Sequence, residues 1–261
     1  LGQVEAPLLI KPYLSSMTRH ELLIIMTVGM STIAGSVMVV YTTMLFPIYG
    51  SGLIGHFLSA SLIFVPAAIM YANMMIPSNE KTDFPDEKSD DMYSSIMDAI
   101  TQGTKNGLDI FLNVIAMLIV VMALVFLVNS ILGLLPNLNG NPITLELMLG
   151  YLFAPLAWFM GIPWNESIMA GQLLGVKTAL NEFVAYLYLS DTETYQLGDK
   201  SRMIMLYALC GFANFSSVGI LLSGLSAMVP ERRADLISVS GKALWCALLA
   251  SCLTGFIIGI L

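Results

Sequence analysis

Apolar residues run along this chain in blocks about as long as a bilayer is thick. A membrane-spanning helix needs about 20 consecutive, mostly apolar residues. Residues 22–49 and 53–76 qualify. The first block carries a polar, glycine-containing interruption at Ser31-Thr32-Ile33-Ala34-Gly35-Ser36. Residues 77–91 are charged and rich in Ser and Asp, which predicts a solvated loop. Residues 92–106 are amphipathic, with Met92, Ile96 and Ile100 on one face. That pattern predicts an interfacial helix leading into a span over residues 108–135, near whose start lie Asp109 and Asn113. Pro136-Asn137-Leu138-Asn139-Gly140-Asn141-Pro142 is a dense turn signal.

Residues 143–189 are apolar but broken by Pro155, by Gly161-Ile162-Pro163-Trp164, and by Gly171, Gly175, Lys177 and Glu182. No clean span fits between these. Short helices that enter the membrane and turn back fit better, and such backbone is tolerated only where protein or a cavity surrounds it. Spans over residues 203–229 and 236–261 close the chain, joined by a loop with Glu231, Arg232 and Arg233. The former is interrupted at Phe212-Ala213-Asn214-Phe215-Ser216-Ser217.

Two interrupted spans make a weak internal repeat. Each follows a glutamate in a short apolar segment and a polar loop with basic residues. In the first copy these are Glu5, Lys11 and Arg19, and a break at residues 32–36. In the second they are Glu182, Lys200 and Arg202, and a break at residues 214–217. A further span follows each break. Broken helices at matching positions of two halves point to a transporter site. Their opposed ends offer N–H groups to anions or hydroxyls and carbonyls to a cation. The pattern allows a parallel or an inverted repeat.

Composition agrees. Apolar residues are 57% and charged residues 11% of the 261, against about 45–50% and about 25% in soluble domains. Mean hydropathy is +0.80. The net charge of −7, with many acids between Glu80 and Asp91, excludes a nucleic-acid surface, which needs a basic patch. Cys210, Cys246 and Cys252 lie in apolar runs without metal-ligand spacing and read as buried free thiols. The 18 Met residues read as packing filler. The chain opens at Leu1 without an initiator Met or a visible signal peptide; an upstream portion is expected.

Glu5 and Glu182 are the sharpest chemical features. A carboxylate at bilayer depth costs about 2.5–3.5 kcal/mol on insertion scales, and such residues mark substrate or ion pathways. The plainer reading places either glutamate at an interface, or pairs it with Lys11 or Lys177. Gln3, Asn181 and Asn214 supply amides, and Thr32 and Ser217 hydroxyls. His20 and His56 have no metal-ligand companion and read as structural. Gly171 to Thr178 resembles a phosphate loop but lacks the Gly-Lys-Thr adjacency and a preceding strand.

Gly2-Gln3-Val4-Glu5-Ala6-Pro7-Leu8, Ser31-Thr32-Ile33-Ala34-Gly35-Ser36-Val37, Gly161-Ile162-Pro163-Trp164, Leu174-Gly175-Val176-Lys177-Thr178, Asn181-Glu182-Phe183-Val184-Ala185-Tyr186 and Gly211-Phe212-Ala213-Asn214-Phe215-Ser216-Ser217 follow one another in order. Together they resemble the concentrative nucleoside transporters, across that family's C-terminal transport region. The resemblance implies an all-α polytopic membrane fold of inverted repeats, each a re-entrant hairpin, a broken helix and a helix. Residues 1–76 would form the first transport repeat, 77–135 an acidic loop, amphipathic segment and scaffold helix, and 136–261 the second repeat. It further implies a homotrimer in the cell membrane (the inner membrane in a bacterium), elevator-type motion, and nucleoside uptake coupled to Na⁺ or H⁺, with no other cofactor and no nucleic-acid partner.

By position, Gln3 and Glu5 would face the nucleobase, and Glu182, Asn214 and Ser217 the ribose hydroxyls. Val37 and Phe212 would pack on the nucleoside, with Val4 and Asn181 as further contacts. Sodium would be held by the Thr32 hydroxyl and by carbonyls near Leu1 and Ile33. Val4 departs from the family pattern, which has Thr or Ser there; that bears on base selectivity, because polar readout discriminates more strongly than an apolar pocket. Two alternatives remain: a proton-coupled symporter with Glu5 or Glu182 as proton carrier, and a membrane-embedded enzyme using both glutamates as acid and base.

Overall fold

The computed structural model describes residues 2–78, 80, 94–137 and 142–261. The acidic loop and part of the turn after residue 136 fall largely outside these residues, as does Leu1. The described chain is helical: α1 (Glu5–Leu8), α2 (Lys11–Leu14), α3 (Arg19–Ser31), α4 (Gly35–Tyr49), α5 (Leu53–Met75), α6 (Ile96–Leu132), α7 (Leu145–Phe159), α8 (Trp164–Ala179), α9 (Glu182–Ser190), α10 (Asp199–Leu209), α11 (Phe215–Met228) and α12 (Arg233–Ile260). Single 3₁₀ turns precede α5 and α12.

The local signals that set these ends are capping side chains. Thr18 and Glu21 form a reciprocal capping box at α3. Ser95, Thr144, Asn181 and Asn214 accept backbone N–H bonds at the starts of α6, α7, α9 and α11. Each satisfies a donor that a helix start leaves orphaned.

Both predicted breaks are present. The first span stops at Ser31 and restarts at Gly35; the second stops at Leu209 and restarts at Phe215. The second break thus begins two residues earlier than the polar run Phe212 to Ser217 indicates, and Phe215 to Ser217 already belong to α11. The chain leaves the helix at Cys210, whose backbone is extended, and Gly211 follows with φ of +105°, a conformation L side chains rarely adopt. Other expectations need correction. The amphipathic segment and the span after it form one 37-residue helix, α6, because nothing in that stretch breaks the hydrogen-bond ladder. Pro155 lies inside α7 without ending it; the break falls at Gly161, with φ of +94°, where α7 and α8 bend by 118°.

Among the described residues two apolar helical stretches, Arg19–Met75 and Pro230–Ile260, are long and apolar enough to cross a bilayer, and the bent pair α7–α8 passes the same test together. Their core is a cluster in which α12 packs against α3, α5 and α10. Between helices in lipid, association rests on close packing rather than on exclusion of water. Small residues supply it where α7 meets α8. A Cβ on Gly171 would collide with the Gly150 carbonyl and the Ala154 N–H, and one on Gly150 would sit 2.6 Å from the Gln172 side chain.

The two breaks touch each other. A Cβ on Gly211 would lie 2.6 Å from the Ser31 carbonyl oxygen and 3.5 Å from that of Met30. The backbone of the second break is therefore seated on the last carbonyls of α3.

Candidate functional site

Glu182 opens α9. Asn181 caps that helix, its Oδ1 accepting the Val184 N–H at 3.0 Å. The carboxylate sits in the first turn, where the helix dipole favours negative charge, and only 5% of the residue is exposed. Each oxygen is held by one neutral donor. The Tyr41 hydroxyl donates to Oε1 at 2.8 Å, and Asn214 Nδ2 donates to Oε2 at 3.0 Å. Asn214 is oriented by its other end, since its Oδ1 accepts the Ser217 N–H at 2.7 Å as the cap of α11. One residue thus restarts the broken helix and grips the carboxylate. A carboxylate oxygen has two lone-pair sites, so each can accept a further hydroxyl.

Lys177 does not neutralise this carboxylate. It is fully buried in α8, and its ammonium donates to the Ala208 carbonyl and to the Ser251 hydroxyl, both at 2.8 Å. Arg19 pairs with Asp235, joining the start of α3 to the start of α12, and Arg232 pairs with the same carboxylate from the preceding turn.

Tyr41 escaped the sequence reading. It lies one helical turn beyond Val37 on α4, is 1% exposed, and packs on Phe57 and Tyr186. The usable signal was that spacing: a hydroxyl-bearing aromatic on the face already assigned to the site.

The other expected residues are distributed as follows. Gln3 is half-buried, and its Oε1 is buried without a hydrogen-bond partner. Its backbone carbonyl lies against Gly29 of α3, 3.5 Å from where a Cβ would be. Glu5 is exposed, its carboxylate beside Gly2; no hydrogen bond joins it to Glu182 among the described residues. Val4 packs on α11, its methyls 2.7 and 3.1 Å from the Cβ position of Gly224. Val37 and Phe212 are half-buried against the core. Ser217 is 4% exposed beneath Asn214. At the first break, the Thr32 hydroxyl donates to the Val28 carbonyl at 3.3 Å, leaving its oxygen able to accept or coordinate, and Ile33 is buried.

Two contacts join distant parts of the chain: α4 supplies Tyr41 to Glu182 of α9, and α11 receives Val4.

A family described as "Na+ dependent nucleoside transporter C-terminus" matches residues 56–259. Curated relatives cover the whole length. The chain is 40% identical over 99% of its residues to the uncharacterized transporter YutK of Bacillus subtilis, spanning 64% of that protein. It is 36% identical to the nucleoside permease NupC of Helicobacter pylori, spanning 62% of it. It is also 36% identical to human solute carrier family 28 member 3, spanning 40% of it. The solved transporter CNTnw in an inward-facing substrate-bound state superimposes with a TM-score of 0.84 at 37% identity, over all of this chain and 61% of that one. An intermediate state of CNTnw gives 0.87 at 35% identity. The chain therefore spans about three-fifths of the solved transporter and of the two bacterial relatives. With its broken spans, its bent helix pair and its buried carboxylate, this multi-pass membrane chain belongs to the Na⁺-dependent nucleoside transporter family, in that family's C-terminal region.

Proposed function

We propose that the protein is a secondary active importer that carries nucleosides across the cell membrane by cation symport, with Na⁺ as the coupling ion. The observation that supports this best is the Glu182 carboxylate, held by Tyr41 and Asn214 with one accepting site left on each oxygen. A ribose presents paired hydroxyl donors, and this carboxylate can accept two of them. Asn214 and Ser217 stand beside it at the N-terminus of α11, where helix N–H groups favour electron-rich ligand atoms.

Gln3 takes the base side. Its buried Oε1 has no partner, and an unmet buried acceptor costs about 1–3 kcal/mol. An N–H on a nucleobase edge would satisfy it. Glu5 acts at the mouth of the same side, reaching the base directly or through water. Val37 and Phe212 flank the nucleoside, and Val4 and Asn181 shape the site indirectly, through Gly224 and through the cap of α9. Thr32 and the carbonyls around Ile33 and Leu1 hold the sodium ion; oxygen donors suit a hard cation.

In this reading residues 1–76 and 136–261 form the two repeats of the moving transport unit, and residues 77–135 the acidic loop, the amphipathic segment and the scaffold helix against which it slides in elevator fashion. The protein assembles as a homotrimer. The test is uptake of labelled uridine, adenosine and a deoxynucleoside by the intact protein in proteoliposomes, with Na⁺ varied at fixed pH. Uptake of at least one ribonucleoside that rises with Na⁺ is expected. Sodium-independent uptake abolished by a protonophore would overturn the sodium assignment. No uptake of any nucleoside would overturn the substrate.

A further inference from the structure

Lys177 is a buried cation that the nucleoside and sodium contacts leave without a task. We propose that it is a positioning residue: a tethered cation that closes the carbonyl end of α10 and so fixes the second break, in the place that a free cation takes at the first. This rests on the sodium reading above.

Three observations carry it. First, the acceptor is a helix end. α10 stops at Leu209, so the Ala208 carbonyl lies in the last turn, where intrahelical donors run out and the dipole is negative. An ammonium 2.8 Å away answers both deficits. The Tyr186 hydroxyl of α9 completes the closure, donating to the Leu206 carbonyl at 2.8 Å.

Second, the two breaks are finished differently. Around the end of α3 the side-chain bonds are local: Ser31 to the Thr27 carbonyl at 2.7 Å, and Thr32 to the Val28 carbonyl at 3.3 Å. Among the described residues no lysine or arginine bonds those carbonyls. The carbonyl end of α10 is bonded by a tethered cation, and among the described residues that of α3 is not.

Third, Lys177 stands five residues before Glu182, yet its hydrogen bonds go elsewhere. Ser251 of α12 takes a second of its three donors at 2.8 Å and itself donates to the Ala247 carbonyl. The ammonium is thereby locked between α8, α10 and α12. The ammonium does not occupy the Glu182 carboxylate oxygens, which accept from Tyr41 and Asn214 and keep one accepting site each. Asn214, which grips that carboxylate, follows the end of α10 by only five residues.

Calorimetric binding to the intact purified transporter tests this, using uridine and 3′-deoxyuridine in Na⁺ titrations balanced with choline. Lys177→Met keeps length and removes charge. It is expected to weaken uridine binding tenfold or more and to shrink the preference for uridine over 3′-deoxyuridine. The Na⁺ midpoint should shift less than the uridine affinity, because Lys177 bonds the carbonyl end of α10 and not that of α3. Lys177→Arg should restore part of the uridine affinity. An unchanged uridine preference in Lys177→Met would overturn the proposal, as would a Na⁺ midpoint that moves as far as the uridine affinity. Should Lys177→Met fail to fold, Ser251→Ala removes one partner while keeping the charge. A roughly threefold loss of the preference is then expected, and no loss overturns the proposal. A parent protein that binds neither uridine nor Na⁺ would instead refute the transport reading, a result distinct from any of these.

Discussion

Asn214 Nδ2 donates to Glu182 Oε2 at 3.0 Å, joining the restart of a broken helix to the start of α9. Because the other end of Asn214 caps α11, movement of that helix is passed to the carboxylate. Glu182→Gln should therefore do more than remove a charge. Whichever way the new amide points, its NH₂ meets the Tyr41 hydroxyl or the Asn214 amide. Stranding a buried donor costs about 1–3 kcal/mol, and the ribose loses an acceptor as well. Uridine binding should fall about a hundredfold, measured by calorimetry beside a thermal melt that confirms folding.

Tyr41→Phe is the gentler probe. It keeps the ring packing on Phe57 and Tyr186 and deletes one hydrogen bond to a charged oxygen, worth about 1.5–3 kcal/mol. Part of that loss falls on stability rather than on binding. A five- to twenty-fold weaker uridine affinity with a lower melting temperature is expected; unchanged affinity would show that the hydroxyl does not prepare the carboxylate.

Gly211→Ala attacks the contact between the breaks. An L residue held at a φ of +105° costs of order 1–3 kcal/mol. The added methyl would also meet the Ser31 carbonyl, only 2.6 Å from its position. Loss of folded protein on size-exclusion chromatography is expected. A variant as stable as the parent would contradict the close approach.

Val4 and Gly224 form a testable pair. Gly224→Ala would press a methyl onto Val4, at 2.7 Å, and overpacking costs about 1–3 kcal/mol. Val4→Ala in the same protein should recover most of the lost melting temperature. Additive losses in the double variant would show that the two side chains do not share this space.

Much of this arrangement was legible in the chain. The breaks announced themselves as polar, glycine-bearing runs inside apolar blocks, and Glu182 and Asn214 as polar groups too costly to leave idle in lipid. What the sequence hid was partnership. Lys177 stood near Glu182 and invited an ion pair, whereas its bonds go to Ala208 and Ser251, 31 and 74 residues away. Tyr41 passed unnoticed, since its partner is 141 residues distant. The seam between the amphipathic segment and the span after it was misread for another reason: a change from amphipathic to wholly apolar alters the surroundings of a helix without interrupting its backbone.

The seating of Gly211 on the Ser31 carbonyl has a thermodynamic consequence. The last carbonyls of α3 border the site proposed for sodium, and Gly211 stands three residues before Asn214. If sodium pulls those carbonyls into one arrangement and a nucleoside pulls Asn214 into the matching one, the two occupancies share a coupling free energy across a single backbone contact. Such coupling is reciprocal: by whatever factor sodium tightens the hold on nucleoside, nucleoside tightens the hold on sodium by the same factor. In that reading no relay through the rest of the membrane domain is needed, because the two proposed sites adjoin one backbone contact, Gly211 on Ser31.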